Sequence, residues 1–237
     1  HRVSRLRLAP EPHTMSLSII IPALNEAANL PALLAELAPL QARGAQIIVA
    51  DGGSTDGSRA LLPAGVLWLD APRGRARQMN AGAAQATGTV LWFVHADTRL
   101  PAAADQLIET ALADGRHCWG RFDLRIDGRP WLLKVVARLI NWRSRLTSIA
   151  TGDQGIFVLR SRFEALGGYA DQPLMEDIEL CVRLRQLSRP ACIATRLSTS
   201  GRRWEQRGVW RTIFLMWRLR WAYWRGVPAA QLAEAYR

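Results

Sequence analysis

Leu91-Trp-Phe-Val94 is an uncharged run that passes straight into His95-Ala96-Asp97-Thr98. Thr87-Gly88 bounds it on one side and Pro101 on the other. A short unbroken apolar run of this kind reads as a strand buried on both faces, so other elements must cover it above and below. Its polar cluster then lies just past the strand's carboxyl end, the edge of an open α/β sheet at which ligands bind. Asp97 is the first carboxylate delivered to that edge. A simpler reading is equally open here: Asp97 and Thr98 would cap a helix that begins near Pro101.

The residues before it repeat the same device. Leu17–Ile21 is a short apolar strand stopped by Pro22. A helical pattern opens at Asn25-Glu26 and runs to about Arg43, with Leu30, Leu33, Leu34 and Leu37 on one face and Gly44 ending it. Ile47–Ala50 is a second strand, emptying into the glycine-rich loop Asp51-Gly-Gly-Ser-Thr-Asp-Gly-Ser58 and then a helix with Asp56 in its first turn. Val66–Leu69 is a third strand. Gly74–Ala86 reads as a helix with Arg73, Arg75 and Arg77 at its start. Such β-α units in series predict an α/β fold, a mostly parallel, doubly wound sheet flanked by helices. The second half is less regular. We expect helices at Pro101–Ala113, Trp131–Ile149 and Met175–Leu187, a strand on an antiparallel edge at Cys118–Asp127, and a turn with a short strand at Thr151–Arg160. A strand at Ala191–Thr195 and one long helix at Arg203–Arg225 complete the pattern, with no internal repeat.

Charge selects the partners to consider. The 237 residues carry a net charge of +11, almost all of it arginine. That calls for nucleic acid, a phosphorylated ligand or an anionic membrane surface, and arginine suits planar, bidentate phosphate contacts. A merely solvated basic surface would account for it too. A hydrophobic content of 49% supports a real core. Cys118, Cys181 and Cys192 are too scattered for a disulfide framework or a zinc site, which suits a reducing cytoplasmic compartment. Residues 1–14, ahead of Met15, read as a tag or upstream extension without the pattern of a signal peptide.

Asp51 and Asp97 both end strands of one parallel sheet, so they share an edge with Arg73, Arg75 and Arg77. The Asp51 loop has glycines at 52, 53 and 57, which misses the Gly-x-Gly-x-x-Gly dinucleotide pattern, and no Gly-Lys-Ser/Thr of a P-loop follows. It also reads as a plain Asp/Ser/Gly turn. Carboxylates and guanidinium groups on one edge suit a nucleoside diphosphate with a Mg2+- or Mn2+-type cation, for which one protein carboxylate plus the diphosphate suffices. Glu176-Asp177 at a helix start supplies a further acid. The helix dipole favours its ionised form, so it can act as general base toward a hydroxyl, although acidity at helix starts is common in itself.

Ser18-Ile-Ile-Ile-Pro-Ala-Leu-Asn-Glu26, Asp51 to Ser58, His95-Ala-Asp-Thr98 and Glu176-Asp177, in that order and spacing, resemble the successive motifs of family-2 glycosyltransferases. Gly74-Arg-Ala-Arg-Gln-Met-Asn-Ala-Gly82, Gly152-Asp-Gln-Gly-Ile-Phe157 and Arg202-Arg-Trp-Glu-Gln-Arg-Gly208 resemble a compact bacterial subgroup labelled arsenosugar-biosynthesis-type. The resemblance spans Ser16 to about Gly226. It implies a GT-A fold, with residues 15–201 as catalytic domain and 202–237 as a helical segment. It implies an inverting, metal-assisted transfer of sugar from a nucleotide-sugar, a UDP- or GDP-sugar, to an acceptor hydroxyl. Pro22, Glu26 and Asp51 would hold the nucleoside. Asp97 would hold Mn2+ or Mg2+ on the diphosphate, with Arg73 and Arg77 at the same edge. Asp177 would be the base with Glu176 beside it, and Gly152, Asp153 and Gln154 would face acceptor or sugar. Arg202, Arg203 and Trp204 resemble a shortened Gln-x-x-Arg-Trp element that closes over the diphosphate. Two departures stand out. His95 replaces the first acid of the usual Asp-x-Asp, which leaves it as a phosphate donor or a packed ring ahead of a metal ligand. Asp51-Gly52-Gly53 replaces Asp-Asp-Gly, one carboxylate fewer near the nucleoside.

Trp210, Ile213, Phe214, Trp217, Trp221 and Trp224 share one helical face, with Arg207, Arg211, Arg218 and Arg225 on its flank. No uncharged run approaches the roughly 20 residues of a spanning helix. Two readings follow. One is an interfacial helix on an anionic membrane, at the inner face of the cell membrane and with a lipid acceptor in view. The other is a helix packed on its own domain or on a second subunit of a homodimer. Nucleic acid is not an expected partner, because no motif for it accompanies the charge. A sugar-nucleotide pyrophosphorylase would need a basic glycine-rich loop where Pro22-Ala-Leu-Asn-Glu26 stands. A non-catalytic scaffold on the same fold is opposed by the presence of both Asp97 and Asp177.

Overall fold

A computed structural model describes residues 15–236, so the extension expected at 1–14 lies outside the described residues. Seven strands form one sheet in the order β3-β2-β1-β4-β6-β5-β7. They are β1 (Leu17–Ala23), β2 (Gln46–Asp51), β3 (Val66–Asp70), β4 (Val90–Phe93), β5 (Trp119–Asp127), β6 (Phe157–Leu159) and β7 (Ala191–Ser200). The first four are mutually parallel. β6 runs against both β4 and β5, and β5 runs parallel to β7. Every strand but β6 therefore ends at one edge, and the segment that enters β6 begins there.

Strand alternation divides the core into two layers. Ile19 and Ile21 of β1 face α1 (Leu30–Ala42), whose Leu30, Leu33, Leu34 and Leu37 are buried as its spacing predicts, and α3 (Ala104–Leu112). Ile20 faces the other way, toward α2 (Arg75–Ala84), α5 (Arg160–Ala165) and α6 (Glu176–Leu187). Trp92 and Phe93 of β4 split between the same two layers and are almost wholly buried, as an uncharged strand in a three-layer sandwich must be. A third cluster joins β5 to α4 (Leu132–Thr147) and to α7 (Arg202–Arg207) and α8 (Val209–Trp224); α9 (Ala229–Tyr236) follows. Among the described residues no helix is long and apolar enough to cross a membrane.

Four local expectations change. The segment Cys118–Asp127 is no edge: β7 runs on to Ser200 through its polar half, and β5 pairs with it to Asp127 across a register shift at Phe122/Asp123. The helix expected after the Asp51 loop is a 3-10 turn, Ser58–Leu61, because Asp56 turns its carboxylate to the neighbouring loop and to Ser58. α3 starts at Ala104 behind Ala103 at φ +55, so Asp97 and Thr98 do not cap it. The single final helix is broken at Gly208, whose φ of +82 reverses the chain between α7 and α8.

Candidate active site

The ends of β1 and β2 lie side by side, with Ala23 opposite Asp51. Asp51 is buried, and its Oδ2 accepts the N–H groups of Gly53 and Ser54, both at 2.9 Å. The Ser54 hydroxyl donates to its other oxygen. Gly53 at φ +96 lets the loop fold back over the carboxylate. The loop after β1 is fastened to this one: Asn25 donates its N–H to Ser54 Oγ (2.8 Å) and accepts from Thr55 N–H (2.9 Å). Ala27 N–H donates to Asp56 Oδ2 at 2.8 Å. Hydrogen bonds from the Ser58 hydroxyl and from Ala27 hold the Asp56 carboxyl below the usual range. Pro22, Glu26 and Asp51 thus come together on one rim of two clasped loops, with Glu26 accepting from Asn29 Nδ2 at 2.7 Å.

α2 runs beneath this rim. Its Gln78, 5% exposed, donates from Nε2 to the Ala23 and Ala50 carbonyls at 2.7 and 2.9 Å, tying the ends of β1 and β2 together. A Cβ on Gly52 would meet the Gln78 amide at 3.1 Å. Asn80 bonds the backbone of Tyr169 through both its amide atoms, at 2.8 and 2.9 Å. Arg75 Nη1 lies 3.3 Å from Glu176 Oε1. Burial alone would lower the Arg75 pKa, but the carboxylates of Glu176, Asp153 and Asp177 outweigh it and raise it.

The third part is the turn Gly152–Gln154 ahead of β6. Gly152 N–H donates to Asp177 Oδ2 at 2.8 Å, and Asp177 Oδ1 accepts the Ile178 N–H at 2.8 Å. Asp153 Oδ1 lies 3.1 Å from His95 Nδ1. A Cβ on Gly152 would stand 2.7 Å from the His95 ring, so glycine is what lets the imidazole pack on the turn. One short turn therefore joins the His95-Ala-Asp97 segment to the α6 carboxylates. Met175, at φ +64, steps the chain into α6. Burial, then the neighbouring Glu176, push the Asp177 carboxyl up to about 6, against the two N–H groups and Arg75. Burial thus works against the ionised form that the helix start was expected to favour.

Other residues stand elsewhere. Arg77 forms a bidentate pair with exposed Asp171 at 2.7 and 3.0 Å. Arg73 is exposed, with no partner among the described residues. The Gln154 side chain is wholly buried and turned inward, 3.1 Å from Ser144 Oγ and 3.5 Å from Phe122 O, so it supports the turn rather than facing a ligand. Trp204 packs on the cluster of Leu133, Val136 and Ala137. Arg202 is exposed, and the Arg203 side chain lies outside the described residues. Arg143 of α4 emerges from the structure instead. Burial lowers its pKa while Asp177 draws it back up. One of three arginines in an amphipathic helix, it carries no sequence signal for that place.

Asp97 is half-buried at the sheet edge and makes no hydrogen bond or ion pair with a described residue. No group of three or more His, Cys, Asp or Glu that could hold a metal occurs among the described residues. The donor set fits a hard cation held jointly by one carboxylate and a ligand's phosphates, and does not fit an all-protein cage.

Residues 18–163, more than half of the chain, match the sequence profile described as Glycosyl transferase family 2. The succinoglycan biosynthesis protein ExoA of Rhizobium meliloti is 35% identical over 108 residues, 41% of this chain and 33% of that protein. A PGL/p-HBAD biosynthesis glycosyltransferase of Mycobacterium bovis is 37% identical over 113 residues, 42% of this chain and 42% of that protein. The chain spans less than half the length of these relatives. In fold it is similar to S. aureus TarS in complex with UDP, with a TM-score of 0.61, 16% identity, and 78% of this chain and 60% of that one covered. It is similar also to glucosyl-3-phosphoglycerate synthase of Mycobacterium tuberculosis in complex with Mn2+, UDP and phosphoglyceric acid. There the TM-score is 0.60 at 20% identity, over 78% of this chain and 70% of that one. These likenesses are of the GT-A fold.

Proposed function

This chain belongs to glycosyltransferase family 2, and we propose that it transfers a sugar from a nucleotide-sugar to an acceptor hydroxyl with inversion at the anomeric carbon. The observation that carries this reading is the turn at Gly152, which links a raised, half-buried carboxylate, Asp177, to the segment that bears Asp97. A general base and a phosphate-side carboxylate separated by one turn are what a single displacement needs. Residues 15–201 supply this machinery, with 202–237 as a helical segment packed against it.

The two clasped loops offer Pro22, Glu26 and Asp51 to a nucleoside. Asp177 takes the acceptor hydroxyl's proton as that oxygen bonds to the anomeric carbon, and the bond from that carbon to the diphosphate breaks on the opposite face. Glu176 is a positioning residue: with Arg75 it sets the charge around Asp177. A Mn2+ or Mg2+ ion held by Asp97 and the donor would stabilise the charge that collects on the departing diphosphate. Arg73, exposed at the same edge, is available to the phosphates. UDP in two structures of this fold, one with Mn2+, supports a UDP-sugar as the first donor to try.

The test is the thermal midpoint with UDP-, GDP- and dTDP-sugars, each with and without Mn2+. Binding to the folded state raises the midpoint by mass action, by about 2.7 kcal/mol of stability at a hundredfold excess over Kd. We expect a metal-dependent rise with one nucleotide, lost in Asp97→Ala. No rise with any donor, in protein shown to be folded, would remove the transferase reading.

A further inference from the structure

α8 carries an aromatic stripe that the fold leaves uncovered. Trp210, Phe214, Trp217, Trp221 and Trp224 recur at spacings of four and three, and each is between 59% and 80% exposed. The helix is nevertheless firmly seated through its other side. Leu219, 2% exposed, packs with Met175 and with Leu232 of α9. Val209 and Ile213 pack with Leu133, Val136 and Ala137 of α4. The helix thus packs on its own domain through this inner face, as one of the two readings expects, and the tryptophans point away from it.

α4, the helix that α8 leans on, repeats the arrangement. Trp131, Leu139, Trp142 and Leu146 are between 55% and 73% exposed, while Leu133, Val136 and Ala137 are buried. Isolated apolar side chains on a surface need no explanation, but a run of them along each of two helices that pack on one another does. The charge on these two helices has one sign. Neither α4 nor α8 contains a carboxylate. Arg211, Arg218 and Arg225, all exposed, follow the α8 stripe at seven-residue spacing, and Lys134 and Arg138 are exposed on α4. The Arg225 guanidinium lies 5.0 Å from the Trp221 ring centroid, a pair able to sit where an apolar layer meets anionic headgroups.

We propose that the outer faces of α4 and α8 dock this protein on an anionic lipid bilayer, with the tryptophans at headgroup depth and the arginines on lipid phosphates. Charge decides between this partner and a second copy of the chain. A self-complementary interface would bring these carboxylate-free basic helices against themselves, like charge facing like charge. An anionic bilayer accepts both the aromatic and the basic side chains. The docking concerns where the protein works and goes beyond the transfer reading; it stands or falls separately from donor binding.

The experiment is flotation of the full chain with vesicles of mixed phosphatidylglycerol and phosphatidylcholine, against vesicles of phosphatidylcholine alone. Wild type should float with the anionic vesicles at low salt and be released as salt rises. Trp217→Ser/Trp221→Ser and, separately, Arg211→Glu/Arg218→Glu should each lower partitioning on the order of tenfold or more. Both pairs are exposed, so the thermal midpoint should hold. Trp142→Ser should weaken flotation as well, marking α4 as part of the surface. Absence of flotation at low salt overturns the proposal, as does flotation unchanged in both double variants. A dimer that the tryptophan pair disrupts, without flotation, would assign the face to a second copy and overturn it too.

Discussion

At the scale of a residue, the proposed base Asp177 is defined by its surroundings. Its carboxyl is held near 6 because burial and Glu176 outweigh two N–H donors and Arg75. A base with that value is ionised at neutral pH and still takes a proton readily. The sign of its effect on stability follows from linkage. The ordinary value is 3.8, so between about pH 4 and 6 the folded chain binds the proton more readily than the unfolded one. Stability from this group is therefore present at low pH and is lost as pH rises through that window. Asp177→Asn should lower kcat by about 10²–10⁴-fold without lowering the thermal midpoint at pH 7.5, and should flatten stability between pH 4 and 6. Wild-type kcat/KM should fall on the acid side with an apparent pKa near 6. Near-normal turnover in the folded variant would remove Asp177 from the reaction. The acids themselves were legible as Glu176-Asp177 at a helix start. The raised value was not, because it arises from what lies over Asp177 in space.

At the scale of an element, α2 shows how a motif can be visible while its work is hidden. The alanine-rich pattern from Gly74 identifies a helix, and its arginines suggest phosphate. In the fold, most of its polar side chains reach distant parts of the chain instead: Gln78 the ends of β1 and β2, Asn80 the backbone at Tyr169, Arg77 the carboxylate of Asp171. Gly82 permits the close approach, since a Cβ there would stand 2.5 Å from Ile20. We expect Gln78→Leu to cost about 1–3 kcal/mol of stability, as buried carbonyls lose their donor, measured by urea unfolding. KM for the donor should rise, because the clasped loops at Asn25 and Ser54 grow from the two strand ends that Gln78 joins. Unchanged stability would mean that the ladder alone aligns those ends.

At the scale of the whole molecule, the C-terminal helices pack on the elements that carry α6. Met175, the left-handed residue that sets Glu176 and Asp177 at the start of α6, is covered by Leu219 of α8 and Leu232 of α9. Leu219→Ala should destabilise by about 2–4 kcal/mol, as a buried leucine lost to a cavity does, read from the thermal midpoint. On the proposed roles it should lower kcat more than it changes donor KM, since the loosened element carries Asp177 and not the loops at Asn25 and Ser54. An equal loss in both would show that the helices support the fold without bearing on α6.

The residue pattern by itself determined the sheet and its working edge. Uncharged runs at Leu17, Ile47 and Leu91 are satisfied as strands of a sheet covered on both faces, and each hands its first polar residues to the same side. Asp51 and Asp97 were therefore placed at that edge by local rules of burial and periodicity, whereas Asp177 was legible only as an acid at a helix start. Tertiary structure decided what those rules do not reach. It extended β7 and buried β5, because strand pairing depends on a partner remote in sequence. It turned Gln154 inward and gave Asp97 no partner among the described residues, because a side chain's neighbours are set by packing. It left the tryptophans of α8 exposed, since a helix apolar on two faces can bury only one against a single domain.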